Sequence, residues 1–445
     1  MDDYRRVADE VAAEIAAGRL RPGDRLPTQR EFARRRAIAA STAARVYKEL
    51  VRRGLTVGEV GRGTFVRAAA PSLDPALAEP AGSRVDLELN FASVPEQTGL
   101  LAESLAPLLR PGVLASSLGP VGAAGTPLAR GAVAELLAHG DWRPDPERVL
   151  FAGNGRQAIA AAMAAMAAPG ARVGVEELTY PVVKAIAGRL GVTLVPLAVD
   201  AAGLVPEAVE AAARRTPLDA LYLQPTLHNP LSRTMPVARR AELADLLARL
   251  DLYAIEDAIW SFLRPDLPPL AALAPGRTVL VDSLSKRLAP GLTLGFAVAP
   301  ASLGAGVSTA LRSGGWTPMR FALDAAGRWL SDGVVDAVAG AKRREAAARQ
   351  ELVARHLGEF ALDSDPHSFS CWWELPPPWR ADTFVAAAAR HGIAVTPAAA
   401  FAVGRRRAPN AVRLGLASPP ADVLARALST LAGLARSAPE DQIAE

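Results

Sequence analysis

Short apolar runs alternate with helix-length segments along residues 85–445 of this 445-residue chain. Such alternation predicts an α/β fold in which a mostly parallel sheet carries helices on both faces. Ligands are then expected at the carboxyl ends of the strands. The six runs of strand length are residues 149–151, 172–175, 193–197, 220–223, 253–256 and 278–281.

The segments on either side of this pattern divide the chain further. Residues 320–357, rich in alanine and arginine, are predicted to form one long helix. This helix leads to an α+β segment over about residues 360–437. We call the helix and this segment together, about residues 320–437, the small lobe. Residues 68–84 hold three prolines and no apolar period, which is typical of a semi-extended linker. We call residues 85–445 the body and residues 1–67 the head.

The head predicts three helices followed by a β-hairpin, which is the order of a winged helix-turn-helix. Apolar residues recur at helical spacing from Val7 to Ile15, and Gly18 ends that helix. Thr28 and Glu31 have the order of a capping box, in which Thr28 accepts from first-turn amides and Glu31 reaches back. The other predicted elements are a helix from about residue 41 to 53 and short strands at 55–60 and 64–66.

Positive charge is concentrated in the head. Residues 1–67 hold 15 Arg and Lys against 9 Asp and Glu, a net charge of +6, whereas the remaining residues hold 35 against 37. A small basic domain on a near-neutral body suggests a polyanion as its partner.

Two motifs in the head resemble the signatures of GntR-family DNA-binding domains. They are residues 18–30, Gly-Arg-Leu-Arg-Pro-Gly-Asp-Arg-Leu-Pro-Thr-Gln-Arg, and residues 61–66, Gly-Arg-Gly-Thr-Phe-Val. Ala39 and Ala40 depart from the Ser-Arg that the family usually has there, which affects the expected operator sequence rather than DNA binding. The resemblance implies major-groove contacts by Arg30, Ser41, Thr42, Arg45 and Lys48, and a minor-groove contact by Arg62.

Composition excludes several other classes of protein. Half of the residues are hydrophobic and 22% are charged, as in soluble globular proteins. The longest apolar run, residues 158–169, is too short to cross a bilayer, and the polar N-terminus lacks the order of a signal peptide. The single cysteine, Cys371, excludes an internal disulfide, and five scattered histidines argue against a metal site. The expected compartment is the cytoplasm.

Lys286 is a candidate for chemistry that arginine cannot perform. It follows the last predicted strand, after Ser283 and Ser285, in a turn that Pro290 and Gly291 close. Only four of the 50 basic residues are lysines. An amine kept in such a chain suits a role in which it loses a proton near neutrality and attacks a carbonyl group. A surface lysine after a strand is the alternative that this stretch alone leaves open.

Polar residues follow other predicted strands as well. The loop that contains Gly155 and Arg156 opens a helix after a strand, an arrangement that suits a phosphate. Tyr180 precedes a helix, Asn229 follows a strand, and Asp257 ends another strand. Taken singly, each has a simpler interpretation as a turn, a core ring or a surface polar group.

Taken in order, these motifs resemble the pyridoxal 5'-phosphate-dependent aminotransferases of fold type I. With the head attached, the whole chain resembles the MocR and GabR type of GntR-family transcription regulators. The resemblance implies that residues 85–445 form an aminotransferase-like domain that binds pyridoxal 5'-phosphate. It also implies a homodimer, because the cofactor site of that family lies between subunits.

The same resemblance assigns a role to each motif. Lys286 would form the internal aldimine, Asp257 would pair with the pyridinium nitrogen, Asn229 would donate to the phenolic oxygen, and Tyr180 would stack on the ring. Arg413 would bind the carboxylate of an effector or substrate. The phosphate would be held by Gly155, Arg156, Ser283 and Ser285.

Two positions depart from the aminotransferase pattern. Trp260 stands where the family usually has a tyrosine, and an indole can donate a hydrogen bond but cannot accept one or titrate. Thr293 stands where many relatives have a phosphate-binding arginine, a charge that Arg156 is expected to replace in part. Aldimine formation stays possible, but weaker cofactor binding and inefficient transamination are expected.

The favoured interpretation is a DNA-binding transcription regulator whose body senses an amino acid or amine effector through external aldimine formation. One alternative is an active aminotransferase with a vestigial DNA-binding head. Another is a structural DNA-binding dimer in which both sites have degenerated. Conversion of bound cofactor to its amine form would favour the active aminotransferase. Operator binding that no amine alters would favour the structural DNA-binding dimer.

Overall fold

The computed structural model describes residues 3–16, 19–20, 24–52, 55–59, 63–66, 85–404 and 408–439. The predicted linker, residues 68–84, lies outside these ranges, as does Arg62 in the predicted hairpin tip. Within the described residues, no helix is both long enough and apolar enough to cross a membrane.

The head folds as the sequence predicts, with one additional strand. Its sheet has the order β1-β3-β2 with antiparallel pairing throughout, and the two-residue strand β1 was not predicted. Val46 and Leu50 are fully buried against the other helices. The elements are α1 (Asp3–Ala16), β1 (Arg25–Leu26), α2 (Gln29–Arg35), α3 (Ala40–Arg52), β2 (Thr56–Glu59) and β3 (Gly63–Val66).

The predicted capping box of α2 is half right. The Thr28 side chain accepts from the backbone N–H of Glu31 at 3.3 Å, which confirms the N-cap. The reciprocal bond was predicted wrongly, because the Glu31 carboxylate pairs with the Arg35 guanidinium one turn further along the helix. A charged donor at this i,i+4 spacing competes with the neutral backbone amide for the carboxylate.

The body contains two principal sheets. Its strands are β4 (Val85–Asp86), β5 (Val149–Ala152), β6 (Arg172–Glu176), β7 (Thr193–Leu197), β8 (Val199–Asp200), β9 (Gly203–Leu204), β10 (Ala220–Leu223), β11 (Tyr253–Asp257), β12 (Thr278–Ser283), β13 (Gly295–Val298), β14 (Leu362–Ser364), β15 (Ser370–Glu374), β16 (Ile393–Ala394), β17 (Thr396–Pro397) and β18 (Ala411–Gly415). All six predicted strands are present, so the mostly parallel sheet is confirmed.

Helices cover the sheets and connect their strands. They are α4 (Gln97–Leu105), α5 (Pro111–Leu114), α6 (Pro127–Leu137), α7 (Gly155–Met166), α8 (Pro181–Leu190), α9 (Pro206–Arg215), α10 (Val237–Arg249), α11 (Leu270–Leu273), α12 (Leu284–Arg287), α13 (Ala301–Ser313), α14 (Arg320–Ser331), α15 (Val334–Leu357), α16 (Ala381–Arg390) and α17 (Ala421–Arg436).

The large sheet places six strand ends at one edge. Its order is β5-β13-β12-β11-β10-β6-β7, and only β13 runs antiparallel to its neighbours. The connection from β12 to β13 holds only the four-residue helix α12 and one 3₁₀ turn, which is too short for the crossover that a parallel pair needs. The carboxyl ends of the other six strands therefore share an edge, and the loops that follow them meet there.

The predicted helix over residues 320–357 is two helices. Helix α14 ends at Ser331 and α15 begins at Val334. Between them Gly333 has φ 74°, a left-handed conformation that glycine adopts without steric cost and that ends a helix. The prediction of a single helix was wrong because it overlooked this stop signal.

The first residues of the body belong to the small lobe. The small lobe contains the sheet β14-β15-β18-β17, and β4 pairs in parallel with β16 beside it. The N–H of Gly415, in β18, donates to the carbonyl of Leu87 at 2.6 Å. Residues 85–91 therefore lie against β18 although more than 300 residues separate the two in sequence.

We predict that Gly295→Ala destabilises the protein by about 1–3 kcal/mol, the usual cost of overpacking. A Cβ at this position in β13 would clash with the backbone carbonyl of Asn154 and displace the glycine loop. Urea unfolding measures the change. Gly304→Ala, in α13, is the control: nothing lies within 4 Å of its added Cβ, and alanine in a helix is expected to stabilise by about 0.5–1 kcal/mol. Equal effects of the two substitutions would contradict the prediction.

Candidate functional site

A cavity of about 370 Å³ opens where the strand ends of the large sheet face the small lobe. It brings together all ten residues that the sequence predicted for cofactor and carboxylate binding. They are Gly155, Arg156, Tyr180, Asn229, Asp257, Trp260, Ser283, Ser285, Lys286 and Arg413. Their individual roles stay predictions, but residues separated by more than 250 positions share one cavity.

Lys286 points its amine into a mainly apolar environment. Its Nζ donates to the backbone carbonyl of Asn90 at 2.6 Å and lies 3.8 Å from the ring centroid of Phe91 and 5.3 Å from that of Trp260. Burial lowers the pKa of Lys286 well below its ordinary value of 10.5, and the charge of Arg413 adds to the effect. The lower pKa favours the neutral amine, which is the nucleophilic form.

Two other buried cations fix the backbone around Lys286. Lys342, fully buried on α15, donates to the carbonyl of Lys286 at 2.9 Å and also to that of Leu288. Arg287 pairs with the buried carboxylate of Asp282 at 2.6 Å. The turn that carries the amine is therefore held on both sides, which limits where Nζ can move.

Asp257 ends β11 with its carboxylate fixed in the cavity wall. Its Oδ2 accepts from the Tyr222 hydroxyl at 2.7 Å and from Gln224 Nε2 at 2.8 Å. Its Oδ1 accepts from the N–H of Ile259 at 3.1 Å. Burial raises the pKa of Asp257 to about 6, although these three hydrogen bonds oppose the rise. The carboxylate would therefore be stabilised by a cationic partner in the cavity.

The start of α7 provides a site for an anion. The Asn154 side chain caps the helix by accepting from the Gln157 N–H at 3.0 Å. Gly155 and Arg156 form the first turn, where free N–H groups and the helix dipole favour negative charge. Burial raises the pKa of Tyr180, and the nearby Arg156 guanidinium opposes that rise.

Three hydroxyl groups extend this anion site. Ser283 and Ser285 share a hydrogen bond between their Oγ atoms, and Ser283 Oγ also accepts from the Ser285 N–H at 3.3 Å. Gly155 packs close to Ser283, because a Cβ there would come within 3.1 Å of its Oγ. The buried hydroxyl of Thr293 has no hydrogen-bond partner among the described residues. A ligand oxygen would satisfy it.

Arg413 presents a guanidinium from β18 of the small lobe. Its Nη2 donates to the carbonyl of Glu88 and, at 3.3 Å, to Thr396 Oγ1, and its charge lies 5.5 Å from the ring centroid of Phe401. Burial lowers the pKa of Arg413 to about 10. Its Nε is buried without a hydrogen-bond partner in the described part of the chain. A carboxylate could accept from such a group in a bidentate manner.

Asn229 and Trp260 close the cavity on the sides of β10 and β11. The N–H of Asn229 donates to Gln224 Oε1 at 3.1 Å, and its side-chain oxygen is buried and unpaired within the described ranges. The Trp260 ring packs on Phe262 and Phe369, with ring centroids 6.3 and 6.4 Å away. Trp260 therefore acts as an aromatic wall beside Lys286.

The residues predicted to contact DNA lie on the surface of the head. Arg30 is at the start of α2, and Ser41, Arg45 and Lys48 are exposed along one face of α3. Thr42 is half-buried between them. The Arg45 guanidinium lies 4.0 Å from the ring centroid of Tyr4 on α1. The predicted contact from Arg62 falls outside the described residues.

Comparison with known proteins decides the family. The aminotransferase class I and II family matches residues 121–431, and the gntR family of bacterial regulatory proteins matches residues 3–66. The uncharacterized HTH-type transcriptional regulator YdeF of Bacillus subtilis (strain 168) is 31% identical over 94% of this chain and 90% of its own length. The probable rhizopine catabolism regulatory protein MocR of Rhizobium meliloti is 27% identical over 80% of this chain and 78% of its own.

The chain belongs to the MocR type of GntR-family regulators. It is a transcription regulator with an aminotransferase-like domain. Among solved structures, the α-aminoadipate aminotransferase LysN of Thermus thermophilus superimposes with a TM-score of 0.70 at 23% identity, over 81% of this chain and 93% of LysN. That likeness establishes the aminotransferase fold of the body.

Several groups of this MocR-type site were missed from the sequence. Gln224 follows a predicted strand directly, so the rule that sites lie at strand ends could have found it. Asn90, Phe91 and Thr396 carry no such signal. They reach the cavity only because the small lobe and residues 85–91 fold over the large sheet.

The raised pKa of Asp257 makes the stability of this MocR-type regulator depend on pH. The folded protein keeps this proton up to about pH 6, whereas an unfolded chain releases it near pH 4. Stability contributed by Asp257 is therefore present at low pH and lost as the pH rises through that window.

We predict that the stability of the wild type relative to Asp257→Asn falls by about 2 kcal/mol between about pH 4 and pH 7. The asparagine has nearly the same shape and does not titrate, so the difference isolates this carboxyl group from the other buried acids. Urea unfolding of the cofactor-free proteins across the range measures it. A difference that does not vary with pH would show that Asp257 titrates normally.

Proposed function

We propose that this MocR-type regulator binds pyridoxal 5'-phosphate in the cavity and senses a small amino acid or amine that exchanges with Lys286 for the cofactor aldehyde. The proposal rests on the contacts of Lys286 and Arg413, the two groups that an amino acid would engage. Both side chains donate to backbone carbonyls of residues 88–90. These residues belong to the segment that follows the linker from the DNA-binding head.

The donor set of the cavity fits the cofactor. The first turn of α7, with Arg156, Ser283, Ser285 and Thr293, would hold the phosphate. Asp257 would pair with the pyridine nitrogen and Asn229 with the phenolic oxygen, and Tyr180 would lie against the ring. When bound, the cofactor supplies an aldehyde that reacts reversibly with primary amines. The buried hydroxyl of Thr293, unpaired among the described residues, supports a ligand oxygen at this position.

A ligand at this site would compete for the hydrogen bonds that hold residues 88–90. An effector carboxylate on Arg413 would compete with the Glu88 carbonyl. A cofactor aldehyde bonded to Lys286 would weaken the bond from its Nζ to Asn90, and an effector amine that replaces Lys286 on the aldehyde would release Nζ to donate again. Because residues 85–91 continue through residues 68–84 to the head, their displacement offers a direct route from effector binding to DNA binding.

Several predicted features complete the proposal. The winged helix-turn-helix would span residues 1–67, the linker 68–84 and the aminotransferase-like domain 85–445. A homodimer would place two heads on two half-sites of an operator. The cytoplasm stays the expected compartment.

An active aminotransferase is the second candidate, because Lys286, Asp257 and Arg413 meet in one cavity. Against it, Trp260 lacks the titrating hydroxyl group of the tyrosine that the aminotransferases usually have at this position. Single-turnover conversion of bound cofactor to pyridoxamine phosphate by an amino acid would favour this function.

We predict that pyridoxal 5'-phosphate gives the wild type a visible absorbance band, distinct from that of the free aldehyde, that Lys286→Ala lacks, because Lys286 is the lysine that lines the cavity. Lys286→Ala should still bind DNA but lose any response to amino acids. Spectrophotometric titration and gel retardation on the DNA upstream of the gene measure both properties. A wild type without the band would contradict the cofactor assignment. Retardation that neither the cofactor nor any amino acid alters would contradict effector sensing.

We predict that Lys48→Ala weakens DNA binding and keeps the absorbance band, the opposite of Lys286→Ala. Each variant is therefore a control for the other. Removal of one phosphate contact should reduce the slope of log affinity against log salt by about 1 and weaken retardation on all sequences. The absorbance band should be unchanged. Arg6→Ala, an exposed arginine on α1, is the control within the head. An unchanged salt slope for Lys48→Ala would argue against Lys48 as a DNA contact.

A further inference from the structure

Glu88 is an acidic residue in the lining of the cavity, next to Arg413. The preceding residue, Leu87, is fully buried in the core of the small lobe, whereas Glu88 is half-buried and lines the cavity. The Arg413 guanidinium donates to the backbone carbonyl of Glu88. Within the described residues, the Glu88 carboxylate forms no hydrogen bond or ion pair.

The charges that line the cavity show why this carboxylate is notable. They are Glu88, Arg156, Asp257, Asp282, Lys286 and Arg413. Asp282 is already paired with Arg287. In the proposed function the cofactor engages Arg156, Asp257 and Lys286, which leaves one cation and one anion for the effector. These are Arg413 and Glu88.

The environment of Glu88 favours a cationic partner. Burial raises the pKa of Glu88, the charge of Asp86 adds to the rise, and the charge of Arg413 opposes it. A partly desolvated carboxylate without a partner is costly, and a ligand ammonium group would remove that cost. A second carboxylate on the ligand would be repelled by Glu88.

We propose that the effector is an amino acid that carries a second amine, held by its carboxylate on Arg413 and by its distal ammonium group on Glu88. This inference rests on the proposed function and deepens it by naming the class of effector. Glu88 is thus a specificity-determining residue of the effector site, and it distinguishes diamino acids from neutral and acidic amino acids of the same length.

Three amino acids with five carbons test this proposal. L-ornithine carries a distal ammonium group, L-norvaline ends in a methyl group, and L-glutamate ends in a carboxylate. Isothermal titration calorimetry of the cofactor-loaded protein with each compound gives its affinity without reliance on enzyme activity. We expect L-ornithine to bind about tenfold or more tightly than L-norvaline, the usual gain from a charge-assisted hydrogen bond, and L-glutamate to bind most weakly.

The Glu88→Gln variant separates recognition from a merely structural role. It should lose the preference for L-ornithine and leave the affinity for L-norvaline unchanged, whereas Glu88→Asp should keep part of the preference. An equal loss of affinity for all three compounds would mean that Glu88 only positions Arg413, and would overturn the inference. Equal affinities in the wild type would also overturn it. Failure of all three compounds to bind would overturn the proposed function together with this inference.

Discussion

The burial of one amine is the constraint on which the rest of this site depends. Lys286 Nζ lies between the rings of Phe91 and Trp260, and its hydrogen-bond acceptor is a neutral carbonyl rather than a carboxylate. A buried ammonium without a counterion is costly, so the amine is stabilised in its neutral form. The same environment that disfavours the charge makes the nitrogen reactive toward an aldehyde. The packing around Lys286 Nζ therefore also determines its reactivity.

Such an amine is useful only if its position is fixed. Lys342 donates to the carbonyls of Lys286 and Leu288 in the turn. The buried ion pair between Arg287 and Asp282 links the same turn to the end of β12. These contacts join α15, β12 and α12. The cost of burying the two cations Lys342 and Arg287 is thus offset by hydrogen bonds that also orient the reactive group.

The cavity exists because two parts of the body meet over it. The large sheet supplies Asp257, Lys286 and the start of α7 from strand ends at one edge. The small lobe supplies Arg413, and it also holds residues 85–91 against the cavity through the pairing of β4 with β16. Movement of residues 85–91 in the cavity would therefore also move the start of the body, to which the head is connected. This arrangement is consistent with the proposed route from effector binding to the head.

The sequence alone determined the six strands, the helices of the head and the residues at the strand ends, because apolar period and capping signals are local. Strand ends meet at one edge in any parallel sheet, and the resemblance of the motifs to the aminotransferases named ten candidate residues before their contacts were known. Only the tertiary structure decided that β13 is antiparallel and that Asn90, Phe91 and Glu88 reach Lys286 and Arg413. The contacts of Asn90 and Glu88 with these two residues join positions 196 and 325 residues apart. No local pattern encodes contacts that arise from the packing of one lobe on another.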